Sequence, residues 1–168
     1  VVQSNVPHLV VGDIVGADSI WADYVAKPAK KVQKLPRIQP LTHLLSVYGI
    51  AGKTAFHGLL NIGRPVAGET VVVSAAAGSV GSYVGQIAKA LGCRVIGIAG
   101  GADKCAHVRD ILGFDACIDY KAGGVFKALR AVCHEGIDVY FDNVGGPTLE
   151  TVLALMNEKG RIVCCGAI

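Results

Sequence analysis

The stretch VVVSAAAGSVGSYVGQIAKALG, residues 71–92, most constrains how this chain can fold. A β-branched apolar run leads into a turn of small residues, and helical spacing follows at once. Val80, Val84, Ile87, Ala88 and Leu91 fall on one helical face. The unit then repeats in kind. Period and breaker residues predict strands at 70–75, 93–98, 115–119, 137–142 and 160–165, and helices at 80–91, 103–112, 124–133 and 147–157. The last helix is expected to carry Leu149, Val152, Leu153 and Met156 on its inner face. Strands alternating with helices of this length imply right-handed βαβ crossovers and a parallel sheet. The expected fold class is α/β, a doubly wound parallel sheet of order 3-2-1-4-5. Composition agrees: 52% of residues are hydrophobic and 17% charged, as suits strands buried on both faces.

The earlier part of the chain has another texture. Residues 1–40 are irregular, with strand-like pieces in LVVGDIVG and WADYVA, and Pro28, Pro36 and Pro40 punctuate their end. Residues 42–63 read as a helix, a glycine break and a second helix, stopped by Gly63 and Pro65. A net charge of +3 without basic clusters makes no case for nucleic acid as a partner. No run of eighteen apolar residues suggests a membrane span, and the start has no signal-peptide pattern. The six cysteines form no C-x-x-C pair and no zinc spacing with histidine, so reduced thiols, no metal site and a cytoplasmic location are expected. The chain begins with Val1, which reads as a processed or cut-down start.

The turn after the first core strand is close to the fingerprint G-x-G-x-x-G. Gly78 takes the second glycine position, where backbone meets phosphate, and Gly81 the third, where helix and strand pack closely. Ala76 replaces the first glycine, which a methyl group permits if φ stays negative. Backbone N–H groups at such a helix start attract a pyrophosphate. The turn therefore reads as the opening of a Rossmann dinucleotide site. An NAD site carries an acid at the end of the second strand, whereas this chain has Ala99, Gly100 and Gly101, followed by Lys104. Space and a cation suit the 2′-phosphate of NADP. Asp103 reads as a helix N-cap or first-turn acid. Tyr120 could reach the same phosphate, or be an ordinary half-buried tyrosine. Asn143, Gly145, Gly146, Gly166 and Ala167 lie at the carboxyl ends of strands, the usual ligand edge.

Together AAAGSVGSYVGQIAK, GIAGGADKC, LGFDACIDYK, GIDVYFDNVGG and RIVCCGAI resemble the zinc-independent medium-chain dehydrogenases/reductases, in the prostaglandin, alkenal and curcumin reductase branch. GIAGKTAFHGLLNIG and GETVVVSAAAG match that family too. The resemblance covers the whole chain. It implies that residues 1–40 are the end of a GroES-like substrate domain and 41–168 a cofactor domain with its linking helices, lacking the sixth strand. It also implies site residues. Gly78, Ser79, Val80 and Gly81 would bind the pyrophosphate, and Lys104 and Tyr120, with Gly100 leaving room, the 2′-phosphate. Asn143 would line the cleft, and Cys165, Gly166, Ala167 and Ile168 would run beside the nicotinamide. Ile50 and Thr54 would flank that ring from the other side. Zinc-dependent relatives have a cysteine ligand where this chain has Ile50, which cannot bind a metal.

The expected function is NADPH-dependent reduction of carbon–carbon double bonds conjugated to a carbonyl, on a small enone or enal. The parent is expected to be a homodimer, and this piece of it could be inactive alone. No residue stands out as a general acid; His57 is nearest in sequence but is expected on the outer face of its helix. A quinone reductase of the same superfamily and a non-catalytic NADP-binding module are the alternatives. A methyltransferase fits poorly, because no acid follows the second strand to hold a ribose. The exposed edge of the fifth core strand is expected to be a pairing or aggregation site.

Overall fold

The structure, a computed structural model, describes residues 1–166. Two compact units divide the chain, Val1–Leu44 and Leu45–Ile168. In the first, β1 (Val15–Gly16) pairs antiparallel with β2 (Gln33–Lys34), and Lys34 bonds Asp13 at 2.8 Å beside that pair. The expected strand in WADYVA does not form: residues 21–26 have no partner strand, and Trp21 and Tyr24 are exposed. An extended segment needs a neighbouring ladder to become a strand.

The second unit is the α/β fold. Its five parallel strands are β3 (Thr70–Ser74), β4 (Arg94–Ala99), β5 (Ala116–Asp119), β6 (Ile137–Asp142) and β7 (Met156–Cys164), in spatial order β5-β4-β3-β6-β7. That is the doubly wound order 3-2-1-4-5 expected from the alternation. Strand period decides the two cores. On one face, Val71, Val73, Val95, Val139 and Phe141 pack against Ala55 and Leu59 and against Val84 and Ala88 of α2 (Ser79–Ala90). On the other, Val72, Ile96, Ile98, Ile118 and Tyr140 pack against Leu129 of α4 (Val125–Val132) and Val152 of α5 (Gly146–Leu153). All five residues of β3 are buried, as a central strand covered on both faces requires.

Two helices widen. α1 (Ile50–His57) continues as a π-type turn over Gly58–Gly63, and α3 (Ala102–Ala106) continues as one over His107–Ile111. The expected helix in the first part of 42–63 is only a 3₁₀ turn, Leu41–Leu44, and the glycine break is Gly49, the N-cap of α1. Glycines set the packing of α2 on the sheet. A Cβ on Gly81 would meet the Ala75 carbonyl, and one on Gly85 the ring of buried Phe114. Leu91, expected on the inner face of α2, falls just beyond its end and is partly exposed.

The last crossover departs from expectation. α5 stops at Leu153 rather than 157, and β7 begins at Met156. Met156 pairs with Ile137 and packs in the second core as a strand residue, while Leu153 is exposed. Pairing with β6 outweighs a helical period that fits both states. A register shift between Ile137 and Val139 absorbs the extra length. Exposed Glu158 and Lys159 sit on β7, the last strand of the sheet, and charges of this kind discourage edge pairing. The described cysteines are all free. Among the described residues, no helix is long and apolar enough to cross a membrane.

Candidate functional site

A cleft of about 500 Å³ opens at the carboxyl ends of β3 and β4. Its floor is the turn from β3 into α2. Ala75 takes the positive φ of this turn, 48°, and buried Ala76 does not, which is how alanine fits the first glycine position. The left-handed region costs a non-glycine residue energy, and such strain concentrates at ligand sites. Gly78 caps α2 with no side-chain hydrogen bond, so no side chain competes for the first-turn N–H groups. A Cβ on Gly78 would stand 3.0 Å from the Ala75 carbonyl. Bare backbone and free N–H donors at a helix start suit an anion.

At the end of β4 the wall changes character. Gly100, Lys104 and Tyr120 all line the cleft, and among the described residues no acidic one does. Lys104 makes no salt bridge among the described residues. Tyr120 lies against Gly100, where an added Cβ would come within 2.8 Å of its ring and hydroxyl. Asp103 is a first-turn residue of α3, whose N-cap is Gly101 without a side-chain bond. The carboxylate that holds this loop comes from β5 instead. Asp119 Oδ1 accepts from Gly101 N–H at 2.8 Å and from Lys121 N–H at 2.9 Å. Those two backbone bonds hold its carboxyl below the usual range.

The end of β6 is braced from beneath. The carboxylate of buried Asp142 accepts on Oδ1 from Tyr140 Oη at 2.8 Å, Ser74 Oγ at 3.2 Å, Val144 N–H at 3.0 Å and Gly145 N–H at 2.9 Å. Burial pushes the Tyr140 hydroxyl well above its ordinary value, which keeps it a donor. Asn143 donates from its backbone to Ser74 Oγ and from Nδ2 to the Ser74 carbonyl, each at 2.8 Å.

Of the expected site residues, the cleft brings together Gly78, Gly100, Lys104 and Tyr120. Ser79, Val80 and Gly81 follow in the first turn of α2 without lining it. Asn143 is engaged with Ser74 and is not in the lining. Cys165 and Gly166 donate their N–H groups to the Asp142 carbonyl, at the same sheet edge but outside the cleft. Ile50, largely exposed, and half-buried Thr54 stand on α1, also outside it. Ala167 and Ile168 lie outside the described residues. Sequence reasoning missed Thr148, which lines the cleft from the start of α5, and Asp119. The signal for Asp119 was present: an aspartate at a strand end before a turn commonly bonds backbone N–H groups. Among the described residues, no three His, Cys, Asp or Glu side chains stand close enough to share a metal ion.

A model of the family described as zinc-binding dehydrogenase matches residues 79–168. The NADPH-dependent curcumin reductase of Escherichia coli (strain K12) is 47% identical over all of this chain and 49% of its own length. Prostaglandin reductase 1 of Oryctolagus cuniculus is 43% identical, over all of this chain and 49% of its own length. The crystal structure of CurA from Vibrio vulnificus superposes with a TM-score of 0.84 at 46% identity, over 95% of this chain and 48% of that one. Its complex with NADPH gives 0.77 at 51%, over 81% and 41%. The chain thus spans about half the length of the curated relatives it matches. With the fold, the glycine turn and these matches together, the chain belongs to the zinc-binding dehydrogenase family, in its zinc-independent medium-chain dehydrogenase/reductase branch.

Proposed function

We propose that this chain is the cofactor-binding part of an NADPH-dependent reductase of carbon–carbon double bonds conjugated to a carbonyl. One observation carries the reading. At the end of β4, where an NAD site needs an acid, Lys104 stands beside Tyr120 with no salt bridge and no acidic cleft lining among the described residues. Residues 1–40 are then the end of a substrate-side domain, and the working protein a homodimer in the cytoplasm.

The side chains and backbone divide the work. Gly78, whose own N–H bonds the Ala75 carbonyl at 2.8 Å, leaves the backbone bare, and the N–H groups of Ser79, Val80 and Gly81 hold the pyrophosphate at the uncapped start of α2. Lys104 and the Tyr120 hydroxyl hold the 2′-phosphate by charge-assisted hydrogen bonds. Asn143, Cys165, Gly166, Ala167 and Ile168 form the nicotinamide side, with Ile50 and Thr54 on the opposite side. NADPH, when bound, supplies a hydride for the β-carbon of the enone. The protein's part is to orient the reactants and to keep water away. Proton delivery to the α-carbon is assigned to no side chain of this chain. The names of the relatives support the substrate class: curcumin is a conjugated enone.

The test uses a full-length protein carrying this chain, with benzylideneacetone and NADPH deuterated at the transferring position. The reading predicts the saturated ketone with deuterium on the β-carbon. Deuterium on the carbinol carbon would make it a carbonyl reductase instead. NADPH binding without turnover of enones or quinones would leave a non-catalytic module.

A further inference from the structure

Lys104 and Tyr120 reach the cleft from separate elements, α3 and the turn after β5, and no hydrogen bond joins the two side chains among the described residues. The link between the two elements is a carboxylate at the end of β5. Asp119 is the last residue of β5 and pairs in register with Ala99, the last residue of β4. From there one carboxylate oxygen, Oδ1, reaches Gly101 N–H, two residues beyond β4, and also Lys121 N–H on its own turn. Gly101 is the N-cap of the helix that carries Lys104, and Lys121 follows Tyr120. Gly101 has a φ of 101°, a backbone that only glycine holds readily, and glycine is also the residue with the most conformational freedom to lose on being fixed there.

We infer that Asp119 is a positioning residue of the phosphate pocket, its shared carboxylate oxygen tying the Lys104 helix to the Tyr120 turn so that both present to one phosphate. The inference rests on the NADPH reading above. An acid near the adenosine ribose would ordinarily favour NAD. Asp119 escapes that role because it is outside the cleft lining and two backbone N–H groups take its Oδ1. It serves NADP selectivity by geometry, without touching the phosphate.

The experiment is calorimetric titration of the chain, of its Asp119→Ala, Asp119→Asn and Lys104→Ala variants, and of the Asp119→Ala, Lys104→Ala double variant, with NADPH and with NADH. Asp119→Ala should weaken NADPH at least tenfold and leave NADH within twofold. Asp119→Asn keeps an oxygen that accepts from both N–H groups, and should hold NADPH within threefold. The tenfold cost of Lys104→Ala should shrink to threefold or less in the Asp119→Ala background, because a misplaced lysine has little left to lose. Hydrogen exchange at Gly101 and Lys121 should quicken in the alanine variant and not in the asparagine variant.

An NADPH/NADH affinity ratio unchanged by Asp119→Ala overturns the inference. So does an asparagine variant that itself loses NADPH affinity tenfold or more, a result readable even if the alanine variant fails to fold. Loss of both cofactors in equal measure reduces Asp119 to general stability and overturns it too. If the unsubstituted chain binds NADPH no better than NADH, the NADPH reading itself fails, a result separable from all of these.

Discussion

Position 100 works by having no side chain. The face of Gly100 is covered by the Tyr120 ring, and a Cβ there would press on the ring and its hydroxyl at 2.8 Å. Tyr120 is half exposed, so it can swing away at little cost. Gly100→Ala should therefore change unfolding free energy by less than about 1 kcal/mol. It should nonetheless weaken NADPH several-fold with NADH unaffected, as read by titration beside a thermal melt. Unchanged NADPH affinity would mean that the tyrosine hydroxyl contributes nothing. Gly85 makes the contrasting case, since its neighbour is the buried ring of Phe114, which has nowhere to go. One glycine gives room to a half-exposed ring and the other to a buried one. In the sequence they look alike, because the difference lies in residues 20 and 29 positions further on, Tyr120 and Phe114 respectively.

Between elements, the strand–turn–helix unit at 71–92 was legible because hydrophobic period, small-residue turn and length all agree there. The boundary of α5 and β7 was not. Leu149, Val152 and Met156 satisfy a helical period, and only the pairing of Met156 with Ile137 decides against it. β7 is also held at its far side by Arg161. Its guanidinium donates to Glu69 at 2.6 and 2.8 Å and to the carbonyls of Gly63 and Arg64 at 2.9 Å, which ties the sheet to the chain leaving α1. The Arg161 bonds hold the Glu69 carboxyl below its ordinary value of 4.5. The folded state then binds this proton less readily than the unfolded chain does. The stabilisation is complete above the unfolded value and is lost as pH falls through the lower folded one. Glu69→Gln should destabilise the chain at neutral pH, and that penalty should shrink as the pH drops below 4.5, measured by denaturant unfolding across the range. A penalty equal at every pH would show that packing, not charge, is what Glu69 contributes.

Across the whole second unit, one cleft collects backbone from β3, a cation from α3, a ring from the turn after β5 and Thr148 from α5. The parallel topology puts all of these at the carboxyl ends of strands, which is why the sequence could name that edge as the ligand side. It could not tell which residues there turn inward. Asn143 stands at the right strand end but bonds Ser74, and Asp119 looks like an ordinary turn acid until Gly101 is beside it. On the proposed reading, this cleft selects NADPH through Lys104. The most direct measurement is calorimetric titration of the chain and of Lys104→Ala with NADPH and NADH. Tight NADPH binding is expected, weakened at least tenfold by the substitution, about 1.4 kcal/mol, with NADH unmoved. Equal binding of the two cofactors, or an NADPH affinity indifferent to Lys104→Ala, would contradict it.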